Sequence, residues 1–274
     1  MLPEQEWTLV TEARAGDGRA FESLIEPLQR PLFAYIYRIV AHRQDAEDAL
    51  QDVLVRTLES LPSFRREAKF KSWLFGIATH VCLDLLRARR RWRVQAQLEG
   101  EKESKASPEA LEKLMEIMNA PDFVFEIREH IAFCFACVGR SLEPEEQAAL
   151  MLREVLGFSN EESAKMLEVS EPVFRHRLSS ARSRMTRDFE GLCRLVSKTG
   201  ACWQCKALRD IAPEAHRGAD LVQIEVAPGL AITAESLLDA RIEIVRDADL
   251  ENGRTAPLHS AFFVSMNRRE NAVP

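Results

Sequence analysis

Residues Leu142 to Met185 read LEPEEQAALMLREVLGFSNEESAKMLEVSEPVFRHRLSSARSRM. Helix signals recur three times in this stretch. Pro144, flanked by Glu143, Glu145 and Glu146, opens a helix as the macrodipole favours, with proline and acids in the first turn, and Gly157 marks its end. Ser159 followed by Glu162 is a capping box, so SNEESAKML starts a second, short helix with Ala164 and Leu167 turned inward. Ser170 caps a third. Pro172 is tolerated there because the first helical turn has no intrahelical use for an N–H, and Phe174, Leu178, Ala181 and Met185 form the buried stripe. Arg175, His176, Ser179, Ser180 and Arg182 fall elsewhere on the wheel. A short helix across a longer one that shows arginines, a histidine and hydroxyls to solvent suits a DNA major groove, since Arg forks onto guanine and hydroxyls reach phosphate. An ordinary amphipathic helix looks partly similar, but turn, caps and basic face together favour DNA.

Upstream, Phe70 to Arg93 reads FKSWLFGIATHVCLDLLRARRRWR. Phe70, Trp73, Leu74, Ile77, Val81 and Leu85 recur at three- and four-residue intervals, the period of a helix buried along one side and free on the other. Beyond the last apolar turn stand Arg87, Arg89, Arg90, Arg91 and Arg93, like charges that require an anionic partner or full solvation. Trp92 offers a face on which an unpaired base stacks. Taken alone, the segment fits a core helix with a solvated basic end equally well.

With DAEDALQDVLVRTLESLPSF (Asp45 to Phe64) ahead of them, these two stretches resemble bacterial RNA polymerase sigma factors of the extracytoplasmic-function class, over about two thirds of the chain from roughly Phe21 to Phe189. The resemblance implies an all-α protein of two helical domains joined by a linker, the second a helix-turn-helix domain, plus a mostly helical C-terminal extension. Residues 1–93 would be a sigma region 2-like domain. It would bind the clamp of core polymerase through Asp45, Asp48, Gln51 and Asp52, and read and open the minus-ten element with the segment from Leu61 to Arg91. Candidate contacts there are Phe64, Lys71, Trp73, His80, Arg87, Arg89, Arg90 and Arg91. Residues 94–122 would be the linker. Residues 123–190 would be the region 4-like domain, seated on the polymerase flap and reading the minus-thirty-five element with Val173, Arg175, His176, Arg177, Ser180 and Arg182. Residues 191–274 would form a cysteine-containing extension with a regulatory role, and an anti-sigma partner is in keeping with the family. Three positions depart from its pattern: His80 stands where asparagine is common, Glu168 where the turn usually has glycine, and Pro172 with Val173 where Gly-Thr is usual. A non-glycine in a left-handed turn costs up to about 1–2 kcal/mol, and the altered first turn leaves the promoter sequence open.

Composition bounds the rest. A chain of 274 residues holds two compact domains and an appendage. Its formal charge of −6 is not that of a protein that coats nucleic acid indiscriminately, so DNA affinity must reside in local basic patches and depend on the polymerase. No run of eighteen apolar residues occurs, and MLPEQEW lacks a basic n-region and an apolar h-region, so a cytoplasmic protein with no membrane partner is expected. Helices are expected over Glu4 to Ala15, Gly18 to Ala41, Asp45 to Leu61 and Phe70 to Arg91. Pro62 and Ser63 break the third from the fourth and leave a loop that could cradle a flipped base. The linker, with Glu99, Glu101, Lys102, Glu103 and Lys105, is charged; it could imitate the path of a nucleic acid or act as a solvated tether.

Six cysteines remain: Cys82, Cys134, Cys137, Cys193, Cys202 and Cys205. In a reducing compartment, paired spacings suggest metal or redox chemistry rather than disulfides. Cys134, Cys137, Cys202 and Cys205 are the candidate ligands of a structural or regulatory zinc, with His130 and Cys193 as alternates; a reversible dithiol and inert core thiols are the competing readings. His130, Cys134 and Cys137 also look like the zinc motif of certain anti-sigma factors, a short pattern. In the extension, Val222 to Val226 suggests a strand, and Ser236 to Leu250 and Pro257 to Arg269 suggest amphipathic helices, the first stopped by Gly253. Leu237, Leu238, Ile242, Ile244 and Val245 must bury against the main domains or a partner. Two other functions compete with the sigma-factor expectation. An autonomous helix-turn-helix repressor would not need Asp45 to Arg91. A zinc- or thiol-dependent enzyme has only cysteines in its favour, with no Ser-His-Asp set, phosphate loop or paired carboxylates beside them.

Overall fold

Residues 3–88, 127–192, 233–253 and 256–272, with isolated positions between 108 and 120, are described in a computed structural model of the chain. Everything regular among them is helical. Helices α1 (Pro3–Arg14), α2 (Gly18–Val40), α3 (Arg43–Ser60) and α4 (Phe70–Arg87) form the first unit. Asp17 caps α2, its carboxylate accepting from the N–H groups of Arg19 and Ala20, and Ala41 ends it in a left-handed turn at φ 55°. Pro62 sits in a single 3-10 turn, Leu61–Ser63, which breaks α3 from α4. The core between these helices holds Leu24, Leu32, Ile36, Val53, Leu74 and Phe75. It contains a satisfied polar pair, the Tyr35 and Thr79 hydroxyls 2.8 Å apart.

The second unit consists of α5 (Ile127–Gly139), α6 (Pro144–Leu150), α7 (Asn160–Met166) and α8 (Glu171–Leu192). A wide π-type turn at Met151–Val155 prolongs α6, and Gly157 (φ 74°) follows it. The capping box of Ser159 and Glu162 opens α7 as expected, and Glu168 has left-handed backbone at φ 53° in the turn before α8. Phe174, Ala181 and Met185 are buried; Leu178 is half-buried.

The extension docks back on both units through α9 (Ala234–Asp247) and α10 (Ala256–Ala272). Leu238, Ile242 and Val245 of α9 face α5 and α8, and Leu258, Phe262 and Phe263 of α10 are buried. α9 ends at Asp247, short of Gly253 where the sequence suggested its stop. The reason lies in the first unit. The buried Arg38 guanidinium donates to the carbonyls of Val245 (3.0 Å) and Ala248 (2.7 Å), capping the helix from outside while Ala248 turns extended. A second expectation also needs correction: α4 is not free on its far side. Ser72, Phe75, Ala78, Thr79, Cys82 and Leu86 are buried as well, while Trp73, Ile77 and Leu85 are only half-buried, because α6 and α7 of the second unit pack on this helix in addition to α2 and α3 of the first. Residues 94–107 and 121–122 of the linker, Val222 to Val226, Trp92, Cys193, Cys202 and Cys205 lie outside the described residues.

His259 on α10 is fully buried, stacked on Phe133 at 4.5 Å, and neither of its ring nitrogens has a hydrogen-bond partner among the described residues. Desolvation, then the neighbouring His130, holds it well below the usual value of 6.5. The folded chain therefore resists a proton that the unfolded chain accepts, so the stability contributed by neutral His259 is present above pH 6.5 and lost below it. Between pH 6.5 and 5.5 the wild type should lose up to about 1.4 kcal/mol more than His259→Leu. At pH 7.5 the variant should be about 1 kcal/mol more stable, since an unpaired buried polar group is removed. Urea unfolding at the two pH values measures both; parallel pH dependence of the two proteins would contradict the expectation.

Candidate nucleic-acid and polymerase interface

Three faces carry the residues singled out from the sequence. On α3 the inward stripe is Ala46, Ala49, Val53 and Thr57, which turns Asp48 and Gln51 fully outward and leaves Asp45 and Asp52 partly covered. Asp45 lies 2.7 Å from His42, and Asp52 lies 2.9 Å from Arg56. The outward face continues into two apolar side chains that the sequence reading missed, Val55 and Leu58, exposed by 54% and 52%. The signal was available: both fall off the Ala-Val stripe. Acids followed by exposed aliphatics repel phosphate and suit a protein surface.

Beside α4, just after the 3-10 turn that precedes it, Phe64 is not available to a base. It is buried at 4.7 Å from Trp73 and 5.9 Å from Phe70, and its ring props up the half-buried indole. The polar residues beside Trp73 all meet the second unit. Lys71 places its ammonium 5.2 Å from the ring centre of Phe158. Ser72 donates to Glu162 at 3.1 Å, His80 lies 3.6 Å from Glu168, and Arg87 pairs with Glu145 at 2.7 Å. Partial burial pushes the Glu145 carboxyl up, but Arg87 outweighs it and the group stays below the usual carboxylate range. Arg89, Arg90 and Arg91 lie outside the described residues.

On α8, Val173, Arg175 and His176 are exposed at the start of the helix, with Arg175 paired to Glu171 one turn back. Arg177 is half-buried. Ser180 faces inward and donates to Glu146 at 2.5 Å, beside the Arg184–Glu146 pair at 2.7 Å. Arg182 meets three carboxylates: Glu154 at 3.0 Å, Asp239 at 2.6 Å and Glu235 at 3.7 Å. Burial works against its charge, yet these partners raise the guanidinium above its ordinary value. The last two carboxylates belong to α9, and no sequence pattern pointed to them.

The cysteines divide. Cys82 is interior, its thiol pushed well up by burial. Cys134 and Cys137 are buried along α5 with His130. Among the described residues no three His, Cys, Asp or Glu side chains are placed to hold a metal ion.

The family model Sigma-70 region 2 matches residues 24–92, and Sigma-70 region 4 matches residues 134–185. ECF RNA polymerase sigma factor SigG of Mycobacterium tuberculosis is 30% identical over 195 residues, which cover 68% of the chain and 52% of SigG. The chain thus spans about half the length of that relative. SigM of the same species is 31% identical over 173 residues, 63% of the chain and 79% of SigM. The ECF RNA polymerase sigma-E factor of Escherichia coli is 28% identical over 189 residues, 68% of the chain and 95% of that protein. No described helix is long and apolar enough to cross a membrane.

Proposed function

The chain belongs to the ECF class of RNA polymerase sigma factors, and on that premise we propose that it binds core RNA polymerase and directs initiation at a particular set of promoters. The observation that carries this is the pairing, on one first unit, of an acidic and apolar outward face on α3 with an aromatic and basic face on α4. The former suits a protein and the latter unpaired DNA. An operator-binding repressor has use for neither.

In this reading residues 1–93 engage the clamp and the minus-ten element, 123–190 the flap and the minus-thirty-five element, and 94–122 connect them. Asp45, Asp48, Gln51 and Asp52 contact polymerase, with Val55 and Leu58 beside them. Lys71, Trp73, His80, Arg87 and Arg89 to Arg91 hold the separated strands, and Phe64 positions Trp73. Val173, Arg175, His176, Arg177 and Arg182 face the upstream duplex, and Ser180 braces the helix. The work is done without enzymatic chemistry, in the cytoplasm.

Reconstituted holoenzyme tests the reading. Arg175→Ala should lower affinity by about 1–3 kcal/mol and relax preference in the upstream element only. Trp73→Ala should leave that preference intact and reduce the permanganate reactivity of unpaired thymines near the start site. Wild-type chain that neither associates with core nor opens DNA overturns the proposal.

A further inference from the structure

The extension grips both units at once. On the first, Arg30 pairs with Asp249 at 2.5 Å, Arg38 caps α9, and Tyr37 meets Phe263 edge-on with ring centres 5.7 Å apart. On the second, Arg246 donates to the Glu154 carbonyl at 2.6 Å, Arg241 lies 4.2 Å over the Phe189 ring, and Asp239 and Glu235 reach Arg182. Glu235 closes one side of a groove along α8 whose other wall is Arg175, Ser179, Arg182, Ser183 and Thr186, while Asp239 holds the Arg182 guanidinium. Carboxylates therefore stand where phosphate oxygens would stand if this face lay on DNA.

The described arrangement is also too short for a promoter. Elements whose centres are about twenty-five base pairs apart lie about 85 Å apart on B-form DNA, whereas α4 and α7 touch through Ser72 and Glu162 and α8 is only about 33 Å long. Promoter engagement requires the two units to part, and every contact of α9 and α10 with both of them opposes that.

We propose that the C-terminal extension is a built-in inhibitor: α9 and α10 clasp the two DNA-binding units together, and Glu235 and Asp239 of α9 occupy Arg182 in place of DNA phosphate. This rests on the sigma-factor reading for its consequence in transcription, but the clasp itself is a property of the chain alone. Binding to DNA is then reduced by the fraction of chains that are open, and loosening the clasp restores it.

The test uses the full chain with Glu235→Gln and Asp239→Lys together. Both positions are exposed, with side chains 74% and 56% accessible, so the fold survives. The control, Glu22→Gln with Glu26→Lys on the outer face of α2, changes net charge equally. Small-angle scattering should show a larger radius of gyration for the clasp variant and none for the control. Binding to a pool of random-sequence duplexes, read by fluorescence anisotropy, should tighten about tenfold more than in the control if closed chains outnumber open ones by about ten to one. Equal radii together with equal DNA binding in the two variants overturn the clasp. Core pull-down is run in parallel on all three proteins. Failure of the wild type to bind core sinks the sigma reading, while scattering still decides for or against the clasp.

Discussion

Replacing Asp48 and Asp52 with lysine is expected to abolish association with core polymerase while the chain stays folded. Each reversal removes a charge from the outward face of α3 and installs the opposite one. Close charge pairs across an interface are worth about 2–5 kcal/mol when disrupted, so two reversals should weaken binding at least a thousandfold, equivalent to about 4 kcal/mol. Within the fold little is lost. Among the described residues Asp48 accepts only from Gln44 at 3.2 Å, and the Asp52–Arg56 pair is an exposed helical pair worth about 0.3–0.5 kcal/mol. Circular dichroism should show the wild-type helix content and a melting temperature shifted by a few degrees at most. Leu58→Asp should act in the same direction through the apolar part of the face. Undiminished capture of core by the double variant would move the polymerase contact to another surface.

The largest loss of stability is expected at Phe75. Its ring is fully buried between Tyr35 of α2, 5.6 Å away, and Phe158 of the second unit, 5.5 Å away. Phe75→Ala removes the packing of one unit's core and the apolar centre of the seam together, which should cost about 3–5 kcal/mol. Urea unfolding measures it; a loss below about 1 kcal/mol would mean that the surroundings collapse into the space.

Phe75 also marks the limit of what the sequence displayed. It lies off the stripe of Phe70, Leu74, Ile77 and Val81, and its partner Phe158 is 83 positions away, so a helical period gave no reason to bury it. Local signals fared better. The Ser159–Glu162 box and the break at Pro62 are both set by residues within a few positions of one another, and each stands in the structure as the sequence suggested. The end of α9 was misplaced because Arg38, two hundred residues upstream, does the capping. At the candidate site the same division holds. The exposed start of α8 followed from its wheel, whereas the carboxylates on Arg182, the burial of Phe64 and the inward turn of Ser180 depend on tertiary neighbours.

Glu162 has two oxygens and two tasks. Oε2 closes the α7 cap with the Ser159 backbone N–H (3.0 Å) and hydroxyl (2.9 Å); Oε1 takes the hydroxyl of Ser72 across the seam. Arg87 likewise has Asp84 of its own helix at 3.6 Å as well as Glu145 across the seam. When the units part, water replaces one bond in each case and the domestic partner stays. Rupture therefore falls between the units and not inside either of them. Amide hydrogens of α4 and α7 should exchange with solvent as slowly in the opened chain as in the shut one, and the joint can cycle without any helix melting.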